Sequence, residues 1–258
     1  MLVTQRHDPP GPATQPPLLI VHGLFGSGRN WGGVARRLAR DRAVVTVDQR
    51  NHGESPRLST QTYPDMAADL AAVIGAEGAA MDLLGHSMGG KAAMMLALTR
   101  PDLVRRLVVA DIAPVAYGHD QTPHIHAMRG LDLAGLDSRA EADRRLAATV
   151  PDPALRAFFL QSLDLKAPDG PAWRLNLDAL EAEMPRIVGW PEGTTGRFGA
   201  PSLFLSGTES RYVLPEHRPA IRALFPAVRF ARIPGAGHWL HADRPAAFAE
   251  TVDVFLRA

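Results

Sequence analysis

The chain contains no cysteine. Disulfides, thiolate nucleophiles and cysteine-held metal sites are therefore excluded. It also lacks a dominant charge. Its 28 Lys and Arg face 27 Asp and Glu, a formal net charge of +1 with no long run of one sign. That balance gives no electrostatic case for nucleic acid or an anionic membrane as partner. No apolar run approaches the roughly 18 residues that span a bilayer. Residues 1–7 hold no apolar core of signal-peptide length. Internal repeats and low-complexity tracts are missing as well. Together these absences predict a soluble, cytoplasmic protein. What is present is a chain of 258 residues, 46% hydrophobic, enough for one large domain or one domain with an insertion.

Short apolar runs alternate with helical patterns over the first 111 residues. Residues 18–21, 43–47, 81–84 and 107–110 read as buried strands, preceded by a short first strand and a proline-rich loop over 9–17. Between them, 31–40, 65–74 and 91–98 carry the spacing of helices. The rhythm resumes with strands at 202–205 and 228–233 and helices at 215–225 and 245–256. Strands alternating with helices specify an α/β fold, a mostly parallel sheet with helices on both faces. Residues 112–199 break the pattern and read as helices near 138–148, 153–163 and 177–187. The expected organisation is a core of 1–111 and 200–258 with a helical cap, 112–199, inserted between two late strands. Such a cap would cover the carboxyl edge of the sheet, where open α/β sheets bind ligands.

Gly85-His86-Ser87-Met88-Gly89 follows a predicted strand and opens a predicted helix. This is the context of a nucleophile elbow, a tight turn that holds a serine hydroxyl clear of both elements. The flanking glycines leave room where neighbouring backbone would strike a Cβ. Ser87 is the predicted nucleophile. His238, in Gly235-Ala236-Gly237-His238-Trp239 past the last strand, is the predicted base, because the serine comes first and the histidine last in the chain order of this fold. A metal reading through His238 and His241 lacks a third ligand nearby in sequence, so no metal or other cofactor is expected. Oxyanion donors are expected at the N–H groups of Met88, at the helix start, and Leu24, in the glycine-rich turn His22-Gly23-Leu24-Phe25-Gly26. His22 itself reads as structural.

The histidine needs a carboxylate partner. Asp111 ends the strand beside the elbow and is favoured. Glu209 competes, in Gly207-Thr208-Glu209-Ser210 after the following strand, and Ser210 is expected to add a hydrogen bond to the His–Asp pair. Glu216 reads as a solvent-facing helix start. The run 48–55, Asp-Gln-Arg-Asn-His-Gly-Glu-Ser, is expected to lock a loop, with Asp48 and Arg50 satisfying each other. Lys91 is expected to be solvated or bonded to a loop.

The combination of Val-His-Gly-Leu-Phe-Gly-Ser at 21–27, the 47–55 run, Leu-Gly-His-Ser-Met-Gly-Gly-Lys at 84–91, Asp-Ile-Ala-Pro-Val at 111–115 and Gly-Ala-Gly-His-Trp at 235–239 resembles the YbfF-type esterase branch of the alpha/beta hydrolases. The resemblance covers both halves of the sheet and is weakest over 118–199. It implies hydrolysis of short acyl esters, with acyl-CoA thioesters as the alternative substrate. It also implies Asp111 as the acid, with a serine, here Ser210, after the later strand where most alpha/beta hydrolases carry that acid. Thr208-Glu209 departs from the Gly-Asn of the branch and keeps Glu209 open. Carbon–carbon bond hydrolysis, perhydrolysis and a non-catalytic ligand-binding role are the remaining alternatives on the same fold.

Overall fold

In a computed structural model describing residues 1–258, seven strands form one sheet. They are β1 (Thr4–His7), β2 (Leu18–Val21), β3 (Val44–Val47), β4 (Met81–His86), β5 (Val104–Ala110), β8 (Ser202–Gly207) and β9 (Val228–Ile233). Their order across the sheet is β1-β3-β2-β4-β5-β8-β9. Only β1 runs antiparallel to its neighbour; every other pair is parallel. The parallel strands therefore end along one edge. His22, Asp48, Ser87 and Asp111, each just beyond or one residue from a strand end, lie along that edge.

The central strands read as unbroken apolar runs because both faces of the sheet are covered. Side chains alternate between the faces. Leu19, Val21, Val45, Leu83, Val109 and Phe204 enter the larger core, beneath α2 (Tyr63–Glu77), α3 (Met88–Thr99) and α9 (Arg218–Leu224). Leu18, Ile20, Val44, Leu84, Val108 and Leu205 enter the other, beneath α1 (Gly32–Leu38) and α11 (Pro245–Arg257). Helix α2 extends beyond the expected 65–74. Thr62 caps its start by accepting the Asp65 N–H at 3.2 Å, and Gly78, with φ of 76°, ends it in the left-handed conformation.

Between β5 and β8 the chain forms α4 (Thr122–Arg129), α5 (Arg139–Leu146), α6 (Pro153–Leu160), an antiparallel ribbon of β6 (Leu163–Asp164) and β7 (Ala172–Trp173), α7 (Leu177–Ala182) and α8 (Met184–Val188). Two features differ from the sequence expectation. The single helix expected over 177–187 is broken at Glu183, because Pro185 has no N–H for the Glu181 carbonyl. The ribbon went unanticipated because two-residue strands are too short to show any period. The inserted segment rests on the loops at the sheet edge. Ser162 Oγ donates to Phe25 O at 2.9 Å, Gly53 N to Arg174 O at 2.8 Å, and Tyr63 Oη to Ile187 O at 2.5 Å. The short helix α10 (Leu240–Asp243) follows the last strand and its turn. No helix is long and apolar enough to cross a membrane.

Candidate active site

Ser87 joins β4 to α3 with φ of 53° and ψ of −123°, a conformation that costs a non-glycine residue free energy. The neighbouring glycines make it possible. A Cβ on Gly85 would lie 2.3 Å from Gly89 O, and one on Gly89 would lie 2.3 Å from His22 O. Both obstacles are backbone. The strained turn presents Ser87 Oγ to His238 Nε2 at 3.0 Å.

The other imidazole nitrogen, Nδ1, lies 2.7 Å from Asp111 Oδ2. A carboxylate there holds the proton on Nδ1 and leaves Nε2 free to accept from the serine. Asp111 is wholly buried, and its φ of 55° turns the carboxylate off the end of β5. Ser210 Oγ donates to the same Oδ2 at 2.5 Å and accepts the Tyr212 N–H at 3.2 Å. Glu209 is exposed and forms no ion pair; its backbone N–H donates to Ala236 O. Glu216 is also exposed.

Tyr212 carried no sequence signal, yet its ring stacks on His238 at 3.8 Å between centroids and 18° between planes. Tyr117 Oη holds its backbone by donating to Tyr212 O at 2.7 Å while accepting the Ala113 N–H at 2.8 Å. His86 supports His238 from the other side, its Nε2–H donating to His238 O at 2.9 Å. Burial among other imidazoles holds His86 well below the usual histidine range, so it stays neutral.

Leu24 N–H has no protein partner, and Met88 N–H, at the first position of α3, has no acceptor within its helix. Both residues line the cavity beside Ser87. The turn holding Leu24 is braced by neutral histidines. His22 Nε2 accepts the Gln49 N–H at 2.9 Å while its Nδ1–H donates to Gly23 O at 2.7 Å. His52 Nε2 accepts the Phe25 N–H at 3.2 Å while its Nδ1–H donates to Arg50 O. Burial pushes His22 down to about 4 and His52 down to about 3. The 48–55 loop thus supports the turn, but not through the expected Asp48–Arg50 pair. Asp48 accepts the Gly28 and Glu54 N–H groups, whereas Arg50 reaches Asp69 at 2.6 Å and Asp65 at 3.3 Å on α2. Side chains close in sequence diverge because each strand end turns over a different neighbour.

These groups open on a cavity of about 280 Å³ between the sheet edge and the inserted segment. Phe158, Phe159, Ile187 and Trp239 contribute much of its apolar wall. Lys91 also lines it, and of its two expected roles the structure shows bonding to a loop and not solvation. It is 1% exposed, and Nζ donates to Val188 O at 3.0 Å and Gly189 O at 2.5 Å. The helix face that carries Ser87 turns Lys91 inward, and desolvation lowers its amine to about 7. His241 stacks on Trp31 at 4.1 Å. No three His, Asp or Glu side chains are grouped to hold a metal ion.

The sequence and fold are shared with known hydrolases. The sequence profile of the alpha/beta hydrolase fold matches residues 16–245. The mouse sn-1-specific diacylglycerol lipase ABHD11 is 40% identical over 255 residues, covering 95% of this chain and 82% of that protein. Esterase YbfF of Escherichia coli strain K12 is 37% identical over 244 residues, covering 93% and 92%. A solved structure described as a marine microorganism esterase superposes with a TM-score of 0.92 at 34% identity, covering 98% of each chain. With its parallel sheet, strained serine turn and family match over most of its length, the chain belongs to the alpha/beta hydrolases and is a hydrolase.

Proposed function

We propose that the protein hydrolyses short-chain carboxylic esters through an acyl-enzyme on Ser87. One observation carries the reading: an unbroken path from Asp111 Oδ2 through His238 to Ser87 Oγ, with links of 2.7 and 3.0 Å. In this mechanism Ser87 Oγ attacks the acyl carbon and His238 Nε2 takes its proton. The carbonyl oxygen, now negative, is held by the Leu24 and Met88 N–H groups. Collapse of the intermediate breaks the ester bond, and His238 gives its proton to the leaving alcohol. Water then attacks the acyl-enzyme by the same route, releasing the acid and restoring Ser87. Asp111 stabilises the imidazolium at both stages, and Ser210 supports Asp111.

Cavity size favours a short acyl group, since about 280 Å³ falls just below the usual span of ligand sites, roughly 300–1,000 Å³. We take an ester as the substrate and a thioester as the alternative, since the same residues serve both.

The test uses a fluorophosphonate probe and a series of nitrophenyl esters. The wild-type protein should be labelled and Ser87→Ala should not. Turnover should be highest on acetyl to butyryl esters and exceed that on the matching acyl-CoA. Labelling that survives Ser87→Ala would refute the nucleophile. A preference for long acyl chains would refute the short-chain assignment.

A further inference from the structure

Lys91 carries the one ammonium group in the cavity wall, and ester hydrolysis as described gives it no task. It is one of only two lysines in the chain. It lies on α3 four residues after Ser87, with its backbone N–H donating to Ser87 O at 3.1 Å. Both residues line the same cavity.

Two of the three Nζ donors are used, on Val188 O and Gly189 O. The group sits 4.8 Å from the Tyr117 ring centroid and 5.6 Å from that of Tyr63. Carbonyl oxygens and aromatic faces solvate a cation, but neither neutralises it. Lys91 forms no ion pair, whereas the one arginine buried as deeply, Arg42, pairs with Asp82. Buried cations are ordinarily paired. Tying the inserted segment to α3 accounts for the two carbonyl contacts. It does not account for a third donor without a partner, or for an amine with no carboxylate beside it in the wall of the cavity.

We infer that Lys91 receives a carboxylate on the acyl portion of the substrate, so that the preferred substrates are half-esters of short dicarboxylic acids. The inference rests on Ser87 as the nucleophile. Ser87 and Lys91 both line the cavity, so an acyl chain held at Ser87 can carry a distal carboxylate to Nζ within it. The carboxylate supplies the missing counter-charge and accepts the unused N–H in a charge-assisted hydrogen bond. A neutral chain of equal length offers the amine neither a counter-charge nor an acceptor, and a site built around a polar contact discriminates strongly against a ligand that lacks it.

The test compares kcat/KM for monomethyl glutarate and for methyl hexanoate, a neutral ester of similar length. The wild-type enzyme should favour the half-ester by about tenfold or more, and Lys91→Met should lower that ratio about 10- to 100-fold. A purely structural role for Lys91 would depress both substrates together and leave the ratio unchanged, which overturns the inference. A wild-type preference for the neutral ester overturns it too. Should Lys91→Met fail to fold, protection of wild-type Ser87 from the fluorophosphonate decides: glutarate should protect at lower concentration than pentanoate, and equal protection refutes the carboxylate site. Loss of both labelling and turnover in the wild type would instead sink the Ser87 reading, and this inference with it.

Discussion

Replacing Asp111 with asparagine removes one charge while preserving shape, and the structure sets the size of the effect. His238 Nδ1 and Ser210 Oγ both bond Oδ2, while Oδ1 has no protein partner. An amide can therefore place its carbonyl oxygen where Oδ2 stood and still accept from both. The histidine keeps its tautomer and orientation; what is lost is the negative charge beside the imidazolium of the transition state. For charges about 4 Å apart at an effective dielectric constant of about 20, that interaction is worth about 4 kcal/mol. At roughly 1.4 kcal/mol per decade, kcat should fall about a thousandfold. The assay is steady-state hydrolysis of nitrophenyl butyrate, with thermal melting to confirm that Asp111→Asn is folded. Glu209→Gln is the control, because the exposed Glu209 carboxylate has no ion-pair partner, and its kcat should stay within about twofold of wild type. An Asp111→Asn enzyme with more than a tenth of wild-type kcat, or a Glu209→Gln enzyme with less, would refute the electrostatic role assigned to Asp111.

Ser210→Ala removes one hydrogen bond to a buried carboxylate that keeps its contact with His238, so kcat should fall about tenfold with little change in KM; an unchanged kcat would show that the bond is idle. Gly89→Ala drives a Cβ to within 2.3 Å of His22 O and 2.6 Å of Val21 O, and should destabilise the fold by about 3 kcal/mol or more in denaturant titration. A wild-type unfolding midpoint would mean that α3 and β2 approach less closely than described. His22 is held neutral at about 4 and His52 at about 3, both below the unfolded value near 6.5. Their stabilising contribution is complete above pH 6.5 and is lost as pH falls through the folded values. His22 alone contributes roughly 3 kcal/mol across that window, and His52 adds to it, a large share of the ~5–15 kcal/mol available to a domain. Unfolding titrations should show stability falling steeply from pH 6.5 toward 4; a flat profile there would contradict neutral burial of these histidines.

Features written in adjacent residues were legible in the sequence. The strands of the sheet stand out as apolar runs because both faces are buried, and the elbow stands out because its glycines and serine are neighbours whose spacing reflects local backbone collisions. Chain order further singled out His238 as the expected base. Asp111 was favoured over Glu209 from its place at a strand end, but Glu209 stayed open, because which carboxylate meets the imidazole depends on which strand end faces it and on a left-handed φ at Asp111. Tyr212 and His86 escaped notice for the same reason. They meet His238 from distant segments, and neither lies in a pattern that announces the contact. Arg50 was paired with the wrong carboxylate because proximity in sequence says little once a loop turns over α2. The inward Lys91 depended on tertiary packing in the same way: α3 is buried along nearly its whole length, and residues 188–189, Tyr63 and Tyr117 close over this side chain. Local sterics and burial periodicity thus determined the sheet and the serine turn from sequence, whereas the partners of each charged group were decided when separate strand ends and the inserted segment came together around one cavity.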